Sequence, residues 1–193
     1  MPSNLLMKKF LLSLLESKLN KTYFFHNVCH TLYVMEKAFE IAQHENCTTA
    51  EIELVCTAAL WHDVGFINIY DGHEEEGCKL VQKYLPEFGF SASSINLICG
   101  MIRATKIPQS PKNKLEQILA DADLEYLGTA NAASIANELF KELKFLDPLL
   151  SIAQWNQMQI SFLQKHCYFT NYCKENKENT KQSYLKKLIS NKF

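Results

Sequence analysis

Leu54-Val55-Cys56-Thr57-Ala58-Ala59-Leu60-Trp61-His62-Asp63-Val64-Gly65 lies near the first third of the chain and is its most continuously apolar segment. Its first eight residues are apolar on nearly every side of a helix, which marks a segment buried all round. Thr48 and Glu51 precede it with capping-box spacing, so a helix opens there and runs to about Asp63. That helix ends on two ionisable side chains, His62 and Asp63. A buried imidazole or carboxylate needs a hydrogen-bond partner, an ion partner or a metal.

On both sides of this segment the periodicity stays helical. Leu5, Leu6, Phe10, Leu14 and Leu15 can share one face of a first helix, interrupted at Lys21 and Thr22. A second helix is expected from about Phe24 to His44, with Val34, Ala38, Ile41 and Ala42 turned inward. After a loop from Gly65 to Gly72, a fourth runs from His73 to about Leu85, stopped by Pro86. A fifth begins at Ser91 and ends before Pro108, and a sixth covers Lys114 to about Leu127. Two more run from Ala132 to Leu146 and from Leu149 to His166. The tail from Lys174 has six lysines against two glutamates and reads as an amphipathic helix with Tyr184, Leu185 and Leu188 inward. No stretch alternates as a strand should. The expected fold class is all-α, a bundle of eight to nine helices. The expected organisation is one domain: residues 1–22 as a packed N-terminal helix, 23–128 as the core and 129–193 as a helical elaboration of it.

Composition narrows the function classes. Of 193 residues 47% are hydrophobic, enough to bury a core. A net charge of −1 gives no global attraction to nucleic acid or an anionic membrane, so neither is an expected partner. Seven cysteines, an odd number without a C-x-x-C pair, argue for a reducing, cytoplasmic setting. No run approaches the ~18 apolar residues of a membrane span.

Histidines and carboxylates stand at the expected helix ends. His26 and His30 are four apart, about 40° of rotation on a helix, so their rings would share a face. Asp121 and Asp123 sit in Ile118-Leu119-Ala120-Asp121-Ala122-Asp123-Leu124, about 200° apart, and can hardly ligate the same ion. Two imidazoles and two carboxylates converging from three helices suit a divalent cation. The competing reading makes His62 and Asp63 helix caps and His26 a hydrogen-bonded core histidine.

Three motifs add a resemblance. Phe25-His26-Asn27-Val28-Cys29-His30-Thr31-Leu32-Tyr33-Val34 resembles the H-N-x-x-H-x-x-x-V opening of HD-superfamily domains, in particular the cyclic-nucleotide phosphodiesterase type. Ala58 to Gly65 resembles the superfamily's apolar-His-Asp-apolar-Gly signature, and Asp121-Ala122-Asp123-Leu124 its terminal aspartate motif. The resemblance spans about residues 23–128 and implies an HD-domain helical bundle. It implies His30, His62, Asp63 and Asp123 as ligands of one divalent ion (Mn, Fe, Ni, Co, Mg or Zn), with Asp121 the alternative to Asp123. It gives His26 the role of proton donor to the leaving oxygen and Asp63 a catalytic role beside its metal ligation. His73 resembles a position used by relatives that carry a second metal. Ala104 stands where their further histidine would be, which argues against a binuclear site and against a di-iron oxygenase.

The function implied is a metal-dependent phosphohydrolase acting on a phosphate ester of a nucleotide or other small molecule. His73, Arg103 and Lys106 are the candidate substrate contacts, and His166 is a candidate for the pocket wall. The alternative is a non-catalytic HD ligand-sensing module that retains its metal site. Small phosphorylated molecules are the expected partners, with a homodimer also compatible with the chain.

Overall fold

The computed structural model describes residues 2–190, with side chains from Leu5 onward. Ten α-helices follow one another among these residues, with short 3-10 turns between some of them and no strand. They are α1 (Pro2–Lys18), α2 (Val28–His44), α3 (Thr49–Trp61), α4 (His73–Tyr84), α5 (Ala92–Thr105), α6 (Lys114–Asp123), α7 (Ala132–Leu146), α8 (Ile152–Lys165), α9 (Asn171–Asn176) and α10 (Glu178–Ile189). The all-α bundle read from the sequence is the fold observed. None of the helices is long and apolar enough to cross a membrane.

Side-chain caps set most of the starts. Thr48 accepts from the Glu51 amide at 3.3 Å while Glu51 accepts from the Thr48 amide at 2.7 Å, closing the capping box of α3. Ser151 and Gln154 form a second box, which starts α8 at Ile152 and not at Leu149. Asn27 accepts from the amides of Cys29 and His30, so α2 begins at Val28, four residues later than the periodicity predicts. His26 therefore lies in the turn before the helix and does not share a helical face with His30. The sixth helix ends at Asp123, and residues Glu125–Gly128 tighten into a 3-10 turn.

Helix α3 is the centre of the molecule. Val55, Ala58, Ala59 and Trp61 are wholly buried, packed among α2, α5 and α6. The inward face of α2 (Val34, Ala38, Ile41, Ala42) meets it as expected. Helix α1 departs from its expected face. Met7, Leu11 and Leu15 are buried, whereas Leu5 and Leu6 are exposed. The helix is apolar on more than one side, and the side with strict i, i+4 spacing is the one that lies on the domain. A second apolar cluster forms behind residue 124, from Leu127, Ala136, Trp155, Leu163, Tyr184 and Leu188 among others. It ties α7, α8 and α10 together.

Candidate metal centre

Three helix ends bring four side chains to one point. His30 comes from the first turn of α2, His62 and Asp63 follow the last turn of α3, and Asp123 ends α6. His62 Nε2 lies 3.1 Å from Asp63 Oδ2 and 3.5 Å from Asp123 Oδ1. His30 Nε2 lies 3.5 Å from Asp63 Oδ2 and 3.2 Å from Asp123 Oδ1. Ligand atoms held ~2.0–2.2 Å from a common first-row ion sit roughly 3.0–3.5 Å from one another. The four imidazole–carboxylate edges fall in that range, and His30, His62 and Asp123 form the mutually compact group, their ligand atoms all within 4.8 Å of one another.

Local chemistry prepares the donors. His62 Nδ1–H donates to the Ala59 carbonyl oxygen at 2.7 Å, which directs the Nε2 lone pair into the centre. His62 Nε2 and Asp63 Oδ2 are buried and make no hydrogen bond. Two orphaned acceptor atoms facing each other are costly unless a cation joins them. Burial alone would weaken proton binding at His62, but Asp63 and Asp123 raise its pKa well above the ordinary value. Burial opposes ionisation of Asp63 and Asp123 too, yet the neighbouring imidazoles hold both carboxyls well below the usual range. The cluster is built to enclose positive charge, and the residues present fit a divalent ion.

The remaining candidates divide. His26 stacks on Phe66 with ring centroids 4.3 Å apart, and its ring lies 6.0 Å from that of His30. Its Nδ1 is 2.5 Å from Glu142 Oε1 on α7. Glu142 is wholly buried and also accepts from the backbone amides of Phe25 and His26 and from the Tyr70 hydroxyl. His73 opens α4 with its Nε2 3.6 Å from Asp63 Oδ1 and 3.8 Å from Glu74 Oε1. It can stand so close because residue 65 is glycine: a Cβ there would lie 1.9 Å from the His73 carbonyl oxygen. Lys106 lines the same cavity.

Asp121, Arg103 and His166 are elsewhere. Asp121 is buried on the far side of α6 and accepts from the Phe169 amide and from the amide and hydroxyl of Thr170. It neither ligates at the cluster nor faces solvent; it anchors the segment after α8. Arg103 corrects the expectation of a phosphate contact, because its Nε donates to both oxygens of Glu75 at 2.8 Å on the exposed side of α5. His166 is not part of the cavity wall. It takes Lys181 Nζ at 3.2 Å on Nδ1 and 2.7 Å on its carbonyl oxygen. Glu142 escaped the sequence reading entirely. It sits among Glu138, Lys141 and Lys144, a pattern that looks like a solvated helix face, and no local signal sets it apart.

The cluster opens into a cavity of about 580 Å³. Asp63, Asp123, His26, His73 and Lys106 line its near end. A pocket of this size accommodates a small organic molecule.

Comparison with known proteins gives a consistent frame. The family model of the HD domain matches residues 27–125. No curated protein matches the chain. Among solved structures, the chain is similar to the crystal structure of a predicted HD superfamily hydrolase from an uncultured Thermotogales bacterium. The TM-score is 0.64 at 21% identity, covering 95% of this chain and 89% of that one. At that identity the likeness speaks to the fold.

Proposed function

The chain belongs to the HD domain family, and from that premise we propose that it is a metal-dependent phosphohydrolase acting on a phosphate ester of a small molecule. The observation that carries the reading is the quartet in which His30, His62 and Asp123 form a compact group with Asp63 beside both imidazoles, opening onto a ligand-sized cavity.

The quartet would hold the ion by His30 Nε2, His62 Nε2 and one oxygen of each carboxylate. When bound, a divalent ion supplies Lewis acidity toward a phosphoryl oxygen and lowers the pKa of water. The protein's own groups do the rest. Asp63 has a second oxygen, Oδ1, turned toward His73, and this carboxylate is placed to orient a water or substrate hydroxyl between them. Lys106 brings a positive charge to the phosphate at the cavity's near end. His26 is held by Glu142 through Nδ1, which keeps its Nε2 available to protonate the departing ester oxygen. Arg103 has no part in this scheme, since Glu75 already occupies its guanidinium.

The test is metal analysis followed by phosphate release after reconstitution with Mn, Fe, Ni, Co, Mg or Zn. Turnover lost in both His62→Ala and Asp63→Ala, with helical content retained, supports the enzyme. Metal bound stoichiometrically without phosphate release from any monoester, diester or nucleotide would sink it in favour of a sensing module.

A further inference from the structure

The cavity continues well past the metal centre, and its far end is of a different character. There the wall is Leu127, Leu139, Leu143, Trp155, Phe162 and Leu163. These residues come from the 3-10 turn after α6 and from α7 and α8, all beyond the stretch that the HD family model matches. Helices α7 and α8 make little backbone contact with each other, while both pack on α10. The Phe140 and Trp155 rings bridge them at 6.1 Å. Space is left between the two helices, and apolar side chains line it.

Gln159 and Tyr184 are the polar side chains deepest at this end, with Tyr126 between them and Asp123. Tyr184 donates its hydroxyl hydrogen to Gln159 Oε1 at 2.5 Å, and Gln159 Nε2 donates to Asn156 at 3.3 Å. The amide is thus engaged within the protein. A sugar or the polar edge of a nucleobase seated here would lose water and gain few partners, which opposes binding. A hydrocarbon group loses nothing of that kind. The cavity wall is apolar toward solvent as well: Ile107 and Met158 belong to it and remain 52% and 49% exposed despite their size.

We propose that the substrate is a phosphate ester of an apolar alcohol, with the hydrocarbon group between α7 and α8 and the phosphate at the metal end beside Lys106 and His73. This rests on the phosphohydrolase reading and narrows its substrate class. The chamber is the specificity device, and the C-terminal helices supply it.

The experiment uses n-alkylphosphonates from methyl to octyl, which bind without being hydrolysed, titrated calorimetrically into the full chain reconstituted with Mn²⁺. The dissociation constant should tighten by about three- to fourfold per methylene until the chamber is full. Leu139→Trp, which fills the chamber, should flatten that series. Leu143→Trp, one turn further along α7, provides the same readout should the first variant not fold. A series that is flat in the wild-type protein overturns the proposal. So does glycerol phosphate or a nucleoside monophosphate binding more tightly than octylphosphonate, or a chain-length gain that persists in the tryptophan variants. Phosphate release from methyl and octyl phosphates separates the two readings. A chain-length gain in binding with no turnover removes the hydrolase and leaves the chamber. Turnover that ignores chain length, with flat binding, removes the chamber and leaves the hydrolase.

Discussion

Glu142 Oε1 and His26 Nδ1 lie 2.5 Å apart although 116 residues separate them in the chain. One residue belongs to the HD core and the other to the helices appended after it. Burial works against a proton on His26, but Glu142, Asp63 and Asp123 more than offset it and the pKa is raised. In Glu142→Gln the carboxylate charge is gone, so that pKa should fall. A proton donor must be protonated to act, and its pKa sets the alkaline limb of kcat/KM. The limb should therefore move to lower pH in the variant, with kcat reduced by at least roughly tenfold and by no more than the ~10²–10⁴ of losing a general acid outright. An alkaline limb that stays in place removes His26 from the proton-donor role. Metal content, measured alongside, should not change.

Binding of the ion should stabilise the fold. A ligand present at ~100 times its Kd adds about 2.7 kcal/mol. For a domain of this size that raises Tm by roughly 5–10 °C. A chelator should remove the gain and His62→Ala should abolish it. Because Asp63 and Asp123 favour a proton on His62 when no other cation lies between them, binding must expel that proton. Apparent affinity should rise with pH, and calorimetry in buffers of different ionisation enthalpy should count the released protons. Affinity independent of pH between 6 and 8 would contradict the geometry.

The two aspartates of α6 should separate cleanly. Asp121→Asn replaces a carboxylate that accepts from Phe169 and Thr170, and hydrogen bonds to a buried charge contribute roughly 1.5–3 kcal/mol. Its Tm should drop by several degrees with metal stoichiometry intact. Asp123→Asn should lose metal. Metal analysis and thermal melts of both variants decide the matter, and the reverse pattern would reassign the ligand.

Much of this site could be read locally, and the limits of that reading have physical causes. Asp123 was legible because helical geometry allows only one of two aspartates about 200° apart to face the cluster, and the resemblance to the HD terminal motif pointed to this one. His62 and Asp63 were legible because an all-round apolar helix ends on them. The start of α2 was misplaced because periodicity cannot see a cap: Asn27 satisfies two amides and breaks the helix just after His26. Arg103 was misassigned because charge near a helix end does not say which way the side chain leaves, and Glu75 lies on the solvent side. Glu142 was invisible because its meaning exists only once α7 folds back over the loop before α2. The apolar chamber was invisible for the same reason, since Leu139, Trp155 and Phe162 come together only once α7 and α8 pack on α10.

His166 offers a test of the C-terminal packing that is independent of catalysis. Its ring stacks on Phe162, meets Tyr168 edge-on and accepts from Lys181, which is itself paired with Glu178. Burial, reinforced by the Lys181 charge, pushes the His166 pKa down to about 4. In the unfolded chain it returns to near 6.5. Between those values the unfolded state binds the extra proton, so stability must rise with pH across this window and be lost as pH falls through it. The full shift corresponds to roughly 3 kcal/mol. His166→Gln cannot titrate, so denaturant melts of the two proteins should converge in slope above pH 7 and diverge steadily from pH 6.5 to 4, the wild-type protein losing more. Parallel curves over that range would mean that the ring is reached by water and that α8 and α10 do not enclose it as described.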